Sequence, residues 1–376
     1  GVSEDGALVM EDRGAGSEIA TFTGDAYEGR FTGNVIDICP VGALTSIPYR
    51  FVARPWDVQN APSVCGHCPV GCNVELTARE GEVRRVTGRP DPNWEVEEGW
   101  LCDKGRFAYP GDRAPGRLRE PLIRESRDRA RVTTLEALRA LPGAQLGDLD
   151  GAGLVLVVGG DPPNQQPVVE LRVRKARRLG ARVACVGARP HALEALGEHR
   201  RAVPGGLAAA LADLERPEVE SAVVLWDEAD LAAEPDAAAA LARLAAERGM
   251  RQLELGADVN GAGLRALGMP ARGVLEAAQA GEIDVLLTVH ADPTEGPGGA
   301  EWGWALGRVR QTVAIATHAS PLADGATVLL PAATHREQEG VYVSMAGRAQ
   351  RLRAAVPGPP GSAPGGLPSA RDRRWP

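Results

Sequence analysis

Residues 153–187 read GLVLVVGGDPPNQQPVVELRVRKARRLGARVACVG, and this stretch decides the fold. Its opening, GLVLVVGG (153–160), is an unbroken apolar run closed by two glycines. A half-exposed strand alternates apolar and polar residues. A run with no polar position is buried on both faces, as in a parallel sheet covered by helices. VVELRVRKARRLG (168–180) then places apolar residues on one helical face and ends at Gly180. ARVACVG (181–187) is the next strand, with Cys185 at its buried centre.

The alternation continues along the chain. SAVVLW (221–226), RQLEL (251–255), IDVLLTVH (283–290), TVAIATH (312–318) and ATVLLP (326–331) read as strands. An Ala-rich helix is predicted around 229–248 and another near 271–280. The fold class is therefore α/β: a doubly wound, mostly parallel domain over 151–355. No solenoid repeat is present. Gly151-x-Gly153 precedes its strand and completes no GxGxxG, and no GxxxxGK[ST] occurs, so a nicotinamide or P-loop site is unsupported. Gly159-Gly160-Asp161 could approach a phosphate, but a tight strand-to-helix turn is the preferred reading.

Upstream the texture differs. Residues 1–58 hold short strand-like pieces such as EIATFT, then a loop around Cys39, then YRFVARPWD. Residues 59–120 form a small irregular β-rich module, in which NVELTAREGEVRRVTGRP predicts a hairpin around Glu80-Gly81. A linker spans 121–150, with one weak helix near Thr134 to Leu141. The Pro/Gly/Ser-rich residues 356–376 predict a disordered tail.

The 376 residues are 44% hydrophobic and 24% charged, ordinary values for folded protein. Gly (46) and Pro (29) make up about a fifth of the chain. The net charge of −8 makes nucleic acid and anionic membrane surfaces poor partners. All but two of the 42 basic residues are arginines, Lys104 and Lys175 being the exceptions. No apolar run approaches the ~20 residues of a membrane helix. The first residues show neither an initiator Met nor a secretory signal, so the chain is expected to be processed, truncated or a fragment.

The six cysteines are Cys39, Cys65, Cys68, Cys72, Cys102 and Cys185. Cys65-x2-Cys68-x3-Cys72 brings three thiols within eight residues, and Cys102 is remote. Structural zinc usually takes two separated C-x2-C pairs. Three close thiols and a distant fourth fit a 4Fe-4S cubane better, each thiolate capping a different iron. Zinc and unligated thiols remain the alternatives. His67 reads as a polar loop residue near this site. Pro69 and Gly71 let the backbone curl so that N–H groups face the sulfurs. Cys39, in DICPVGALTS, has the form of the last cysteine of a ferredoxin-type motif, yet no C-x2-C-x2-C run precedes it. It is read as a free thiol, or an orphan ligand of a second cluster.

SVCGHCPVGCNVELTAREGEVRRVTGRPDP (63–92), WLCDKGRFAY (100–109) and GRLREPLIR (116–124) together resemble the 4Fe-4S domain of the molybdopterin (Mo/W bis-MGD) oxidoreductase superfamily. GNVIDICPVGALTSIPYRFVARPWD (33–57) resembles the junction in the large iron-sulfur subunit family of bacterial respiratory complex I, the NADH-quinone oxidoreductases. LADGATVLLPAATHREQEGVYVSMAGRAQR (322–351) resembles a late α/β segment of the same superfamily. The resemblance implies that Cys65, Cys68, Cys72 and Cys102 hold a 4Fe-4S cluster. It also implies that 1–58 is the remnant of a ferredoxin-like cluster domain ending at Cys39. The implied function is electron transfer and scaffolding in NADH:quinone oxidoreductase, without an independent catalytic site in this chain. Implied partners are other peripheral-arm subunits, on the inner face of the plasma membrane, with no direct insertion.

The departures from the family are an absent 2Fe-2S domain, absent partners for Cys39 and a short stretch after Arg124, about 30 residues before Leu154. A molybdopterin-dependent oxidoreductase fragment, similar to formate dehydrogenase, is the alternative. Such enzymes carry a Cys, selenocysteine or Ser metal ligand after the cluster, and no cysteine lies between Cys102 and Cys185. Molybdopterin is therefore not expected, and Lys104 is read as screening cluster charge.

Overall fold

The computed structural model describes residues 7–21, 26–89, 96–115, 117, 122–123, 135–212, 214, 221–256, 259–267, 274–295, 299–359 and 362. Most of the predicted tail and residues 124–134 of the predicted linker lie outside them.

The opening stretch forms the middle of a five-stranded sheet. Its order is Glu198–Arg201, Arg182–Gly187, Leu154–Val158, Ala222–Asp227, Arg251–Leu255, and every pairing is parallel. Leu154–Val158 and Ala222–Asp227 are buried at every position. The reason lies in their two faces. Val155, Val157, Val223 and Leu225 join one core; Leu154, Leu156, Val158, Val224 and Trp226 join another. Cys185 packs into the first, as expected for a strand centre.

Helix Pro167–Arg178 crosses back between the first two strands, burying Val168, Val169, Leu171, Val173 and Ala176. Its proline stands at the start, where no N–H is needed. Gly180, at φ +107°, turns the chain into the next strand.

The Ala-rich helix read as continuous over 229–248 is broken in two, Glu228–Ala233 and Pro235–Glu247. The proline ring excludes helical geometry from the preceding residue, and Glu234 adopts φ −126°, ψ 76°. The helix predicted near 271–280 is described as Val274–Gln279.

The later strands do not extend this sheet. Val285–Val289, Gln311–Ala316 and Val328–Pro331 form a separate parallel set, with Leu122–Ile123 antiparallel at its edge. Part of the stretch read as linker thus supplies a strand, and it also holds the short helix Glu136–Arg139.

In the cysteine-rich region, Gln59–Val64, Asn73–Arg79 and Glu82–Gly88 form an antiparallel sheet. The predicted hairpin turns at Glu80 and Gly81, at φ 56° and 73°. Two successive positive φ values match the twist of a tight hairpin. At the N-terminus, Leu8–Glu11 pairs with Glu18–Thr21. YRFVARPWD (49–57) forms turns and no ladder. The cysteine-rich module shares one core with the first sheet: Val70, Val74, Leu76 and Leu101 are continuous with Val155, Val157 and Leu225. Among the described residues, no helix is long and apolar enough to cross a membrane.

Candidate metal centre

Cys65, Cys68 and Cys72 lie on the loop joining Gln59–Val64 to Asn73–Arg79. The loop is closed by Cys65 N–H donating to the Cys72 carbonyl at 2.8 Å. Gly71 takes φ +71° at its tightest point. Cys102 arrives from a second segment, just before helix Asp103–Phe107. All four thiols are buried, at 5, 8, 2 and 4% exposure for Cys65, Cys68, Cys72 and Cys102.

They converge closely enough to raise one another's pKa. Burial is the larger cause, pushing the Cys65 thiol up to about 12 and Cys68 up to about 11. Cys72 is pushed up by burial and then by the Glu97 carboxylate, Cys102 by burial. Opposing this, the His67 N–H faces the Cys65 sulfur, the Val70 N–H faces Cys68, and the Gly105 and Lys104 N–H groups face Cys102. Such donors favour thiolate and stabilise sulfur bound to metal. Among the described residues, no three His, Cys, Asp or Glu side chains are grouped to hold a single metal ion.

The segments around the thiols are tied together by polar contacts of long sequence separation. Asp103 accepts from Thr32 N–H at 2.8 Å and Gly33 N–H at 2.9 Å, capping helix Gly33–Ile38 from the cysteine module. Asn34 donates to the Leu101 carbonyl and accepts from the Leu101 N–H. A Cβ on Gly33 would meet Arg106 Cδ at 2.2 Å, so a larger side chain there would force the two segments apart. Arg172, 2% exposed, donates to the Val96 carbonyl at 3.0 Å, joining the first sheet's helix to the loop before Cys102.

A roof over the cysteine loop comes from the far end of the chain, through hairpin Gly340–Val343 and Ala349–Leu352. Tyr342 donates its hydroxyl to the Cys68 carbonyl at 2.5 Å. Gln350 donates to the Gly71 carbonyl at 2.9 Å, and Met345 N–H donates to the Pro69 carbonyl at 2.7 Å. Arg336, 1% exposed, holds both Asp112 oxygens at 2.7 Å with Nη1. Its Nη2 donates to His67 Nε2 at 2.5 Å. A guanidinium cannot accept, so the His67 ring proton is on Nδ1. Burial and then Arg336 push His67 down to about 4. His335 stands edge-on to His67, centroids 5.1 Å apart.

His67 thus faces Arg336. Lys104 is exposed, and its charge acts on Cys68 and Cys102. Cys185 lies apart in the first sheet, its thiol pushed up to about 12 by burial. Cys39 follows helix Gly33–Ile38, half-buried. Its sulfur faces the Leu44 and Val41 N–H groups, which lower its pKa. Tyr342, Gln350, Arg336 and Glu97 were not legible as site residues, because nothing near them in sequence marks an approach to a loop that, for the first three, is about 270 residues away.

At the carboxyl end of the first sheet, Gly159 and Gly160 take φ +71° and +72° beside Asp227 and Asp230. Gly160 N–H donates to Asp230 Oδ2 at 2.8 Å, and Arg189 grips both Asp230 oxygens at 2.8 and 2.9 Å. Strands Leu154–Val158 and Ala222–Asp227 flank the point where strand order reverses, the usual place for a ligand in such sheets. Here the carboxylates of Asp227 and Asp230 line that point.

Comparison with known proteins matches three stretches of the chain. The family model for the molybdopterin oxidoreductase Fe4S4 domain matches residues 58–110. That for the ferredoxin-like domain of NADH-quinone oxidoreductase subunit 3 matches 1–45, and that for molybdopterin oxidoreductase matches 261–363. The G subunit of NADH-quinone oxidoreductase from Mycobacterium tuberculosis is 29% identical over 95% of this chain and 58% of its own length. Subunit 3 of the Thermus thermophilus enzyme is 30% identical over 94% of this chain and 55% of its own. The G subunit from Streptomyces coelicolor is 45% identical over 33% of this chain and 15% of its own. The chain spans little more than half the length of the relatives it matches throughout. It is similar over nearly its whole length to these large NADH-quinone oxidoreductase subunits, and two of its stretches match family models of the molybdopterin oxidoreductases.

Proposed function

We propose that the chain is an electron-transfer and scaffold portion of an NADH-quinone oxidoreductase, with a 4Fe-4S cluster on Cys65, Cys68, Cys72 and Cys102. The observation that carries this is the four buried thiols converging from two segments, with backbone N–H groups directed at three of the sulfurs. Four thiolates here without an inorganic cation would be buried charges of one sign. A cubane fits the donor set, because it asks thiols to surround a volume rather than meet at a point. Bound there, the cluster supplies one-electron transfer. The chain's residues exclude water, hydrogen-bond the sulfurs and hold the loop in its curl.

Cys39 is proposed as a free thiol or as the orphan ligand of a second, ferredoxin-type cluster whose other ligands this sequence does not hold, its sulfur resting among backbone N–H groups. The division at 59–120 and 151–355 is proposed with it, the two parts sharing one core. The partners are other peripheral-arm subunits at the inner face of the plasma membrane.

The match of 261–363 to molybdopterin oxidoreductase favours a second reading, a pterin-dependent enzyme. Asp230 in the crevice and the mid-strand position of Cys185 support the electron carrier instead.

The test is anaerobic purification with iron, sulfide, molybdenum and tungsten analysis and low-temperature EPR. About four irons per chain, lost together in Cys68→Ser, are expected. Molybdenum or tungsten with a pterin would replace this reading with the second.

A further inference from the structure

Arg336 is the most buried charged side chain near the cysteine loop, at 1% exposure. It is held on one side by the Asp112 carboxylate and on the other by His67, between Cys65 and Cys68. Its Nε–H is buried with no acceptor among the described residues. Asp112 retains some contact with solvent, its side chain 17% exposed. The pair is therefore asymmetric. The guanidinium faces the loop through a neutral imidazole, and its counter-charge lies on the far side, where water screens it. The guanidinium charge therefore stands against the cysteine loop at His67, one imidazole ring away from the segment that carries Cys65 and Cys68.

We propose that Arg336 sets the reduction potential of the cluster held by Cys65, Cys68, Cys72 and Cys102. This rests on the cluster reading above and adds a residue 234 positions beyond the last ligand. Reduction brings one electron from a one-electron donor, dithionite in a titration; no bond forms or breaks and no proton moves. The added negative charge is spread over cluster and thiolates. A fixed buried cation against His67 of the cysteine loop stabilises the reduced state more than the oxidised one, because nearby charge tunes such potentials and the buried site screens little. Asp112 positions Arg336 and offsets part of its charge. Glu97, whose carboxylate accepts from the Asn73 N–H next to Cys72 at 3.0 Å, acts with the opposite sign.

The experiment is an EPR-monitored redox titration of the anaerobically purified protein and of Arg336→Gln, Arg336→Lys and Asp112→Asn. Arg336→Gln should shift the one-electron equilibrium about tenfold toward the oxidised form, a lowering of about 59 mV in potential. Arg336→Lys, which keeps the charge, should stay within about threefold of the parent. Asp112→Asn should move the potential upward. A purely structural role would change cluster content or line shape without this ordering by charge. If Arg336→Gln fails to retain its cluster, the upward shift in Asp112→Asn decides, and no shift there overturns the proposal. An intact cluster at unchanged potential in both variants refutes the role of Arg336 alone. Absence of a cluster from the parent protein refutes the cluster reading and this inference together.

Discussion

Gly71→Ala separates the two reasons for a glycine in the cysteine loop, when compared with Gly81→Ala. Both positions have nearly the same backbone, φ +71° and +73°. Each substitution carries the left-handed penalty of about 1–2 kcal/mol. Their surroundings differ. A Cβ at Gly81 meets nothing within 4 Å, whereas at Gly71 it meets Tyr342 Cε1 at 2.6 Å and Gln350 Oε1 at 2.9 Å. Neither neighbour retreats freely. The Tyr342 hydroxyl is bonded to the Cys68 carbonyl, and Gln350 to the Gly71 carbonyl.

Forcing a methyl into such packing costs a further ~1–3 kcal/mol. If iron leaves through transient opening of this loop, that difference makes loss from Gly71→Ala about 5- to 150-fold faster than from Gly81→Ala. The assay is anaerobic iron release to a chelator, followed optically, with far-UV circular dichroism confirming that both variants are folded. Equal rates would refute the argument that the hairpin roof holds the loop closed.

Other outcomes follow from the same geometry. Tyr342→Phe leaves the buried Cys68 carbonyl without its donor, a loss of about 1–3 kcal/mol that should also accelerate iron release. Trp226→Ala empties a fully buried site in the first sheet and should cost about 3–5 kcal/mol, read as a lowered urea midpoint. The Cys185 thiol is pushed from 9.0 to about 12 in the fold. Raised by burial, it stays neutral in the fold where the unfolded chain already ionises. Its contribution is full below pH 9 and is lost as pH rises toward 12, because only the unfolded chain releases the proton there. Cys185→Val should therefore show a shallower alkaline loss of stability than the parent, measured as urea midpoint against pH. Parallel slopes would show that the thiol is not held neutral by burial.

The sheet-forming runs were legible because burial on both faces leaves an unmistakable pattern, as in LVLVV at 154–158. The hairpin at Glu80-Gly81 was legible because its turn chemistry is local. Pro235 was also visible, and its effect on the helix follows from sterics; composition alone hid it within an alanine run. The division of the later strands into a second sheet was not legible, since strand pattern does not encode which neighbour a strand chooses. Leu122–Ile123 is an edge strand of two residues, too short to have a period. The cysteine spacing disclosed the candidate centre. Its roof stayed hidden, because Arg336, Tyr342 and Gln350 reach His67, Cys68 and Gly71 only through tertiary packing.

X-ray absorption of the anaerobically purified protein decides whether Cys65, Cys68, Cys72 and Cys102 hold one 4Fe-4S cubane. An iron edge with a sulfur shell and a short iron–iron shell, both lost in Cys68→Ser, is the expected result. A zinc edge with four sulfurs at about 2.3 Å and no iron–iron shell would contradict it.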